Sequence, residues 1–492
     1  MSSSNPTPDT RSAYAISEWP DIEEIERRFH ALTHTPIRPL RRERLDACMA
    51  WFEEKCAGSK QAAAEAQKYI PGGVQHNLAF NKPFALSMAR AKGAYLWDID
   101  GNQYIDFLQA GGPTVLGSNY EPVREKVIEL LHDCGPITGL FHDYEVKLAK
   151  LIHDFMPGVE MFRMLGSGTE SDMAAIRAAR AFTGNVKIIK VGAGYHGWSD
   201  QLVFAMRLPG TGPMEATGIP AGCYENTQEV YPNDVDALRE LLAGNQDKGG
   251  TAAVLVEPLG PESATRPVTA DYNQRVRELC DEFGALLIFD EVVTGFRMGM
   301  GGAQGYFGVR PDLTVFGKCV AGGYPMAGGV GGRADVMATF AGGIGAMGKR
   351  AFVGGTLSAN PMSCVAGYHA LLEMERTGAP IKAGKAGDRL RRGLQAMIEK
   401  YELPYVTYNF GSIVHLTTSG VLNLDLRDPS AFAEVMPRKE MLEDMGAAFT
   451  AEGVITLAGS RIYTSMADTD EVVDDALARF ERVFQGVEGV SA

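Results

Sequence analysis

Long apolar runs are missing from this chain of 492 residues. No stretch reaches the ~18 apolar residues of a membrane-spanning helix, so no membrane span is expected. The opening segment, MSSSNPTPDTRSAYAISEWP, is polar and lacks the apolar centre of a secretory signal. It reads as a disordered or loosely packed tail. Cysteine is scarce: seven residues, an odd number, with no Cys-x-x-Cys spacing. That argues against a disulfide framework and against zinc, so no metal is expected, and it favours a reducing cytoplasm. Each cysteine reads as a small buried hydrophobe. Positive charge is in deficit, with 47 basic against 61 acidic residues and a net charge of −14. A nucleic-acid partner would need a basic face, so none is expected, although a local basic pocket for a phosphate or carboxylate is compatible with this balance. Internal repeats and low-complexity segments are also lacking.

What is there is a globular composition, 45% hydrophobic and 22% charged, with 57 glycines that cluster where backbone must come close to something. The length suits two or three domains. Residues 1–69 read as a tail followed by a helical extension. Ile22, Ile25, Phe29 and Leu32 share one helix face, a second helix covers Arg41 to Lys55, and a third starts at an N-cap Ser59 and stops at Pro71-Gly72-Gly73. The charge-dense run Arg38 to Arg44 reads as solvated surface. Tyr95–Ile99 and Gln103–Phe107 flank Asp100-Gly101-Asn102 as a hairpin. From about residue 122, helices alternate with the short apolar runs Lys187–Val191, Ala252–Val256, Ala285–Phe289 and Leu313–Phe316. This pattern predicts βαβ units and an α/β fold with a mostly parallel sheet covered on both faces. The C-terminal part mixes strands at Val454–Leu457 and Arg461–Thr464 with a final helix after Asp470. The expected division is 1–69 extension, 70–121 first part of a small α+β domain, 122–369 large domain, and 370–492 the rest of the small domain.

Three stretches carry chemistry. Gly166-Ser167-Gly168-Thr169-Glu170-Ser171-Asp172 opens a helix, where free N–H groups and the helix dipole favour an anion. The same stretch also reads as an ordinary cap, with Thr169 and Asp172 as a loose capping box. Asp290-Glu291 ends an apolar strand, at the sheet edge where α/β folds bind ligands. A carboxylate there can hold a metal, accept a proton, pair with a protonated ring nitrogen, or simply cap a helix. Lys318 follows another apolar strand and precedes the loop Ala321-Gly322-Gly323. Burial there would make its amine nucleophilic. An anion cradle, a strand-end carboxylate and a strand-end lysine are together the parts that pyridoxal phosphate requires.

With Pro71-Gly72-Gly73, Gly93–Phe107, Ser167-Gly168-Thr169-Glu170, Tyr195-His196-Gly197, Val256-Glu257-Pro258, Asp290–Arg297, Lys318 and Gly355–Pro361 in that order, the chain resembles the class III, fold type I pyridoxal-phosphate aminotransferases from about Ile70 to about Glu481. The nearest subgroup is that of glutamate-1-semialdehyde 2,1-aminomutase and its aminotransferase relatives. The resemblance implies that Lys318 forms the Schiff base with the cofactor and carries a proton between substrate and cofactor carbons. It implies that Asp290 binds the ring nitrogen, that Val292 and Tyr195 cover the two ring faces with His196 beside Tyr195, and that Ser167, Gly168 and Thr169 bind the phosphate. Glu257 belongs to the cofactor set. Thr356 would reach the phosphate of a neighbouring subunit's cofactor, which implies a homodimer with a shared active site.

The resemblance places a substrate-carboxylate arginine at position 79 in the aminomutases and at position 76 in β-amino-acid aminotransferases. Here those positions are Ala79 and His76, and no arginine lies between Gly73 and Ala89. General class III aminotransferases carry instead a glutamate five residues past their Glu-Pro glutamate and an arginine near the C-terminus, which form a movable gate. Glu262 and Arg461 stand at those places. The expectation is therefore a transaminase that moves an amino group from an amine or amino acid to a keto acid or carbonyl acceptor in a ping-pong cycle. The alternatives are an aminomutase, or an amino-group epimerase or racemase, of the same family. The glycine-rich stretches between Met206 and Ala221 and from Gly342 to Ala351 are expected near the pocket entrance.

Overall fold

The computed structural model describes residues 12–79, 81–137, 139–342 and 350–490. It divides into two compact units: residues 121–380 with 12–15 and 425–427, and residues 16–120 with 381–424 and 428–490. The sequence-based division at 369/370 falls inside the helix Pro361–Thr377, which stays whole in the first unit. Residues 16–69 group with the second unit rather than standing apart. Within the stretch 342–351, residues 343–349 lie outside the described residues, as do residues 1–11 of the expected tail.

The first unit is built on a seven-stranded sheet. From one edge to the other its strands are Met161–Leu165, Gly328–Gly332, Leu313–Gly317, Leu286–Asp290, Thr251–Val256, Lys187–Val191 and Thr227–Val230. The last five pair in parallel, while Gly328–Gly332 runs antiparallel to both of its neighbours. The central strands are buried along their whole length, which explains their unbroken apolar sequences. Side-chain alternation divides them between two cores. Ile188, Ala253, Leu255, Ile288 and Val315 join Ala174, Ala175, Ala178 and Ala179 of the helix Gly168–Thr183. Ile189, Val254, Val256, Leu287 and Phe289 join Leu238, Leu242, Val276 and Leu279 on the opposite face. Asp290 shares the parity of Leu286 and Ile288, so its side chain leaves the sheet on the side of the helix Gly168–Thr183.

The strand Gly328–Gly332 is not predicted from sequence because four of its five residues are glycine. Its neighbours impose that composition: a Cβ at Gly329 would lie 2.5 Å from the Phe162 ring, and one at Gly331 would lie 2.3 Å from Val159 Cγ1. The expected loose tail is also corrected at its described end. Ala15 N–H donates to Met298 O at 2.8 Å, and the Tyr14 ring meets Tyr306 edge-on.

The second unit has a four-stranded sheet (Met88–Lys92, Tyr95–Asp98, Gln103–Asp106, Val454–Ile455) and a three-stranded antiparallel one (Val406–Phe410, Ile413–Thr417, Arg461–Tyr463). Helices Ile22–His34, Arg42–Lys55, Phe432–Ala451 and Asp470–Phe484 belong to it. Ser59 is not an N-cap. The helix begins at Ala57, and the carboxylate of Asp100 from the hairpin turn accepts from Gly58 N, Ser59 N and Ser59 Oγ at 2.6, 2.9 and 2.8 Å. A distant carboxylate has displaced the local cap. The run Arg38–Arg44 is not merely solvated: Arg38 donates to Glu488 O and Glu402 O, and Arg41 to Gln485 O. Among the described residues, no helix is long and apolar enough to cross a membrane.

Candidate active site

The site gathers at the carboxyl ends of the parallel strands. Ser167, in extended conformation, caps the 16-residue helix Gly168–Thr183 by accepting from Glu170 N at 3.2 Å. This replaces the expected Thr169–Asp172 capping box. The first-turn N–H groups of such a helix have no intrahelical acceptors and face an anion favourably. Glycines keep the cradle open. A Cβ at Gly168 would stand 3.0 Å from Val292 Cγ2, and one at Gly317 would stand 2.7 Å from Val292 Cγ1. Gly197, at φ 80°, would put a Cβ 2.2 Å from Thr169 Oγ1, and Gly328 would put one 2.3 Å from Ser167 O.

The loop that carries Tyr195 and His196 is held from beneath by Lys190. This lysine, next to last in its strand, is fully buried and donates to Gly194 O, Leu202 O and Phe204 O at 2.8, 3.3 and 2.8 Å. Burial lowers its pKa to about 8. From the other side, Glu257 accepts from Tyr195 N at 2.9 Å, Glu262 N at 2.7 Å and Ser263 N at 2.7 Å. Burial and the nearby Asp290 push the Glu257 carboxyl up to about 8. Glu262 and Ser263 sit at φ 51° and 56°, a strained turn that these hydrogen bonds fix.

His196 is buried, and its Nδ1 lies 2.7 Å from Asp290 Oδ2; Asp290 Oδ1 accepts from Val292 N at 3.0 Å. Burial lowers the His196 pKa, so the imidazole is neutral, with Nδ1 as the donor and a buried, unpartnered Nε2. Only Asp290 of the acidic pair faces this cluster. Glu291 accepts from Ala303 N, Gln304 N and Thr294 Oγ1, and so caps the short helix Gly302–Phe307. Lys318 follows the strand Leu313–Gly317 half-buried, at φ 43°, a left-handed conformation that is uncommon for lysine. Tyr195 exposes 45% of its surface.

Sequence reasoning missed Lys190 and read Asp172 only as a member of the helix's opening turn. Lys190 looked like any strand lysine. Asp172 is 1% exposed with both carboxyl oxygens unpartnered among the described residues, and oxygen or nitrogen atoms of Asp172, His196 and Asp290 lie within 4.8 Å of one another. The spacing Asp172, Ala175, Ala179 on one buried helix face was the available signal. Thr356 stands apart, exposed, on the wall of a cavity of about 870 Å³ with Arg163, Gly355 and Ser358. His76 and Arg461 belong to the second unit. His76 Nδ1 accepts from Leu78 N at 3.1 Å and, with Ala79, lines an apolar cavity of about 310 Å³; Arg461 is buried in its strand.

These residues fit pyridoxal phosphate. A glycine-lined helix N-terminus offers donors for a phosphate, the buried Asp290–His196 pair offers a carboxylate to a ring nitrogen, and the strand-end Lys318 offers an amine. Comparison with known proteins agrees. The pattern of the family described as "Aminotransferase class-III" matches residues 79–484. Glutamate-1-semialdehyde 2,1-aminomutase 2 of Bacillus pumilus is 36% identical over 440 residues, 87% of this chain and 97% of the relative. An omega-transaminase from Sphaerobacter thermophilus superposes with a TM-score of 0.78 at 28% identity, covering 88% of this chain and 98% of that one. A beta-phenylalanine aminotransferase from Variovorax paradoxus gives 0.76 at 29%, covering 89% and 96%. The chain belongs to the class III aminotransferase family, with the fold type I architecture and a dependence on pyridoxal phosphate.

Proposed function

We propose that the protein shifts an amino group between carbons of one small amino compound, as an aminomutase. The observation that carries this reading is the likeness to the Bacillus pumilus aminomutase along nearly all of that enzyme's length. It favours the alternative set beside transamination in the sequence reading. Bound pyridoxal phosphate supplies the electron sink that makes the proton on an amine-bearing carbon acidic. The protein's own groups do the rest. The N–H groups of Gly168 and Thr169 and the hydroxyls of Ser167 and Thr169 hold the phosphate, and the helix dipole adds to them. Asp290, oriented by His196 and Val292 N, holds the proton on the ring nitrogen. Val292 and Tyr195 fix the ring between them, and Glu257 sets the Tyr195 backbone. Lys318 anchors the cofactor covalently and moves a proton at the substrate carbon. Thr356 serves the cofactor of a second copy, so the working form is a homodimer, and the cytoplasm is its compartment.

A transaminase is the second reading, favoured by one observation: Ala79 and His76 replace the carboxylate-binding arginines that the resemblance places there. A carboxylate substrate without such a partner is costly to bury. In that reading Arg461 and Glu262 gate the acceptor, and Arg461→Ala weakens keto acids far more than carboxylate-free carbonyl compounds. One experiment separates the readings. Mixed ¹⁵N-labelled and unlabelled amino substrates are incubated with the holoenzyme without a keto acid. Isomerised product whose nitrogen returns to a molecule of the same substrate supports the aminomutase. A cofactor that bleaches to its pyridoxamine form and recovers only on adding a keto acid overturns it in favour of transamination.

A further inference from the structure

We propose that Asp172 is a positioning residue that stands protonated behind Asp290, so that the buried trio Asp172, His196 and Asp290 carries a single negative charge directed at the ring nitrogen. This rests on the reading that Asp290 is the ring-nitrogen partner.

Asp172 lies in the first turns of the helix Gly168–Thr183, 1% exposed, and neither carboxyl oxygen has a hydrogen-bond donor among the described residues. An ionised carboxylate with no donor is among the least favourable groups a protein can bury. Asp290 is differently placed: His196 Nδ1 and Val292 N both donate to it, at 2.7 and 3.0 Å. Hydrogen bonds to the charged form select which of two neighbouring carboxyls keeps the charge, and here they select Asp290. With atoms of all three groups within 4.8 Å, a second negative charge would oppose the first. The charged groups facing Asp172 are Asp290, Glu257, Lys190 and Lys318. Burial, then Asp290 and Glu257, drive the Asp172 carboxyl well above the usual carboxylate range, against the pull of the two lysines. His196 is neutral and cannot balance a second anion.

An asparagine at this position would keep the shape and the neutral charge. The test therefore compares wild type with Asp172→Asn, first without cofactor. In the folded protein Asp172 holds its proton above the pH at which the unfolded chain releases it, so folding binds a proton and wild-type stability falls as pH rises through that window. The melting temperature of Asp172→Asn minus that of wild type should widen by about 2 °C or more between about pH 5 and about pH 8. A constant difference, or one that narrows, overturns the proposal, since an ionised and stabilised Asp172 gives the opposite slope. Infrared difference spectra at neutral pH guard against a variant that folds poorly: wild type must show a protonated-carboxyl band that is lost in Asp172→Asn, beside the Glu257 band that both proteins keep. The positioning role is read on the holoprotein. The alkaline titration of the visible absorption of bound pyridoxal phosphate should differ between wild type and Asp172→Asn. Identical titrations would reduce Asp172 to a structural group. Asp290→Asn keeps the two failures apart. If it binds the cofactor with unchanged absorption while the stability slope persists, the ring-nitrogen reading is wrong and the protonation of Asp172 still stands.

Discussion

Lys318 is set apart by its backbone before any chemistry is considered. Its φ of 43° is tolerated because the strand Leu313–Gly317 and the following turn hold it there. Lys318→Ala should abolish the absorption of the lysine-bound cofactor and lower turnover by at least about 10²-fold. A variant with wild-type absorption would remove Lys318 from the assignment. The cradle can be tested at one atom's scale. Gly197→Ala puts a Cβ against Thr169 in a left-handed position and should cost about 1–3 kcal/mol. It should also weaken pyridoxal phosphate binding in a fluorescence titration. Gly284→Ala is the control: the same left-handed backbone region at φ 69°, with none of the described residues within 4 Å of the added Cβ, so cofactor binding should stay unchanged. At this scale the sequence was most informative where a residue type is rare in its setting. A lysine and an aspartate at the ends of apolar strands were visible at once. Asp172 was hidden because acidic residues are normal in the first turns of helices, and only three-dimensional burial makes this one unusual.

Among the elements, the alternation of apolar runs and helices located the central parallel strands to within a residue or two, since a strand buried on both faces must be apolar throughout. The strands Met161–Leu165 and Gly328–Gly332 were not legible. One is half-exposed, and the other is glycine because Phe162 and Val159 fill its side-chain positions. Ser59 misled for a related reason, since Asp100 caps that helix from a turn more than forty residues away. The loop that carries Tyr195 and His196 depends on Lys190 of the strand before it. Lys190→Met strands three buried carbonyls and should lower stability by about 2–5 kcal/mol. The pH dependence follows in sign. Lys190 titrates near 8 when folded, against 10.5 in its ordinary state, so the unfolded chain binds the extra proton between these values. Wild type should therefore gain stability relative to Lys190→Met as pH rises from about 8 toward 10.5. Melting curves of both proteins across that range decide it, and a gap that shrinks instead would mean that the folded protein holds this proton more tightly than the unfolded chain does.

For the whole molecule, the first unit leaves large apolar side chains in water. Leu140 is 74% exposed, Phe141 71%, Trp198 74% and Phe352 65%. Leu140 and Met161 border the same cavity as Thr356. Exposed apolar surface on this scale usually marks an interface. In a homodimer with the proposed sharing, each cofactor would draw on Lys318 of one copy and Thr356 of the other. Mixing two inactive proteins tests this directly. Lys318→Ala chains lack the lysine, and Thr356→Arg chains bring a bulky cation to the phosphate position. If sites are shared, a hybrid dimer holds one doubly damaged site and one site with Lys318 from the second protein and Thr356 from the first. Random exchange makes half of the dimers hybrids, so about a quarter of all sites should regain activity after the two proteins are unfolded and refolded together. If each chain serves its own cofactor, every site in the hybrid keeps one defect and no activity returns. Affinity capture through a tag on the Lys318→Ala chains alone separates that outcome from a failure to form hybrids: co-captured Thr356→Arg chains without recovered activity count against sharing, whereas monomers in sedimentation count against the dimer itself.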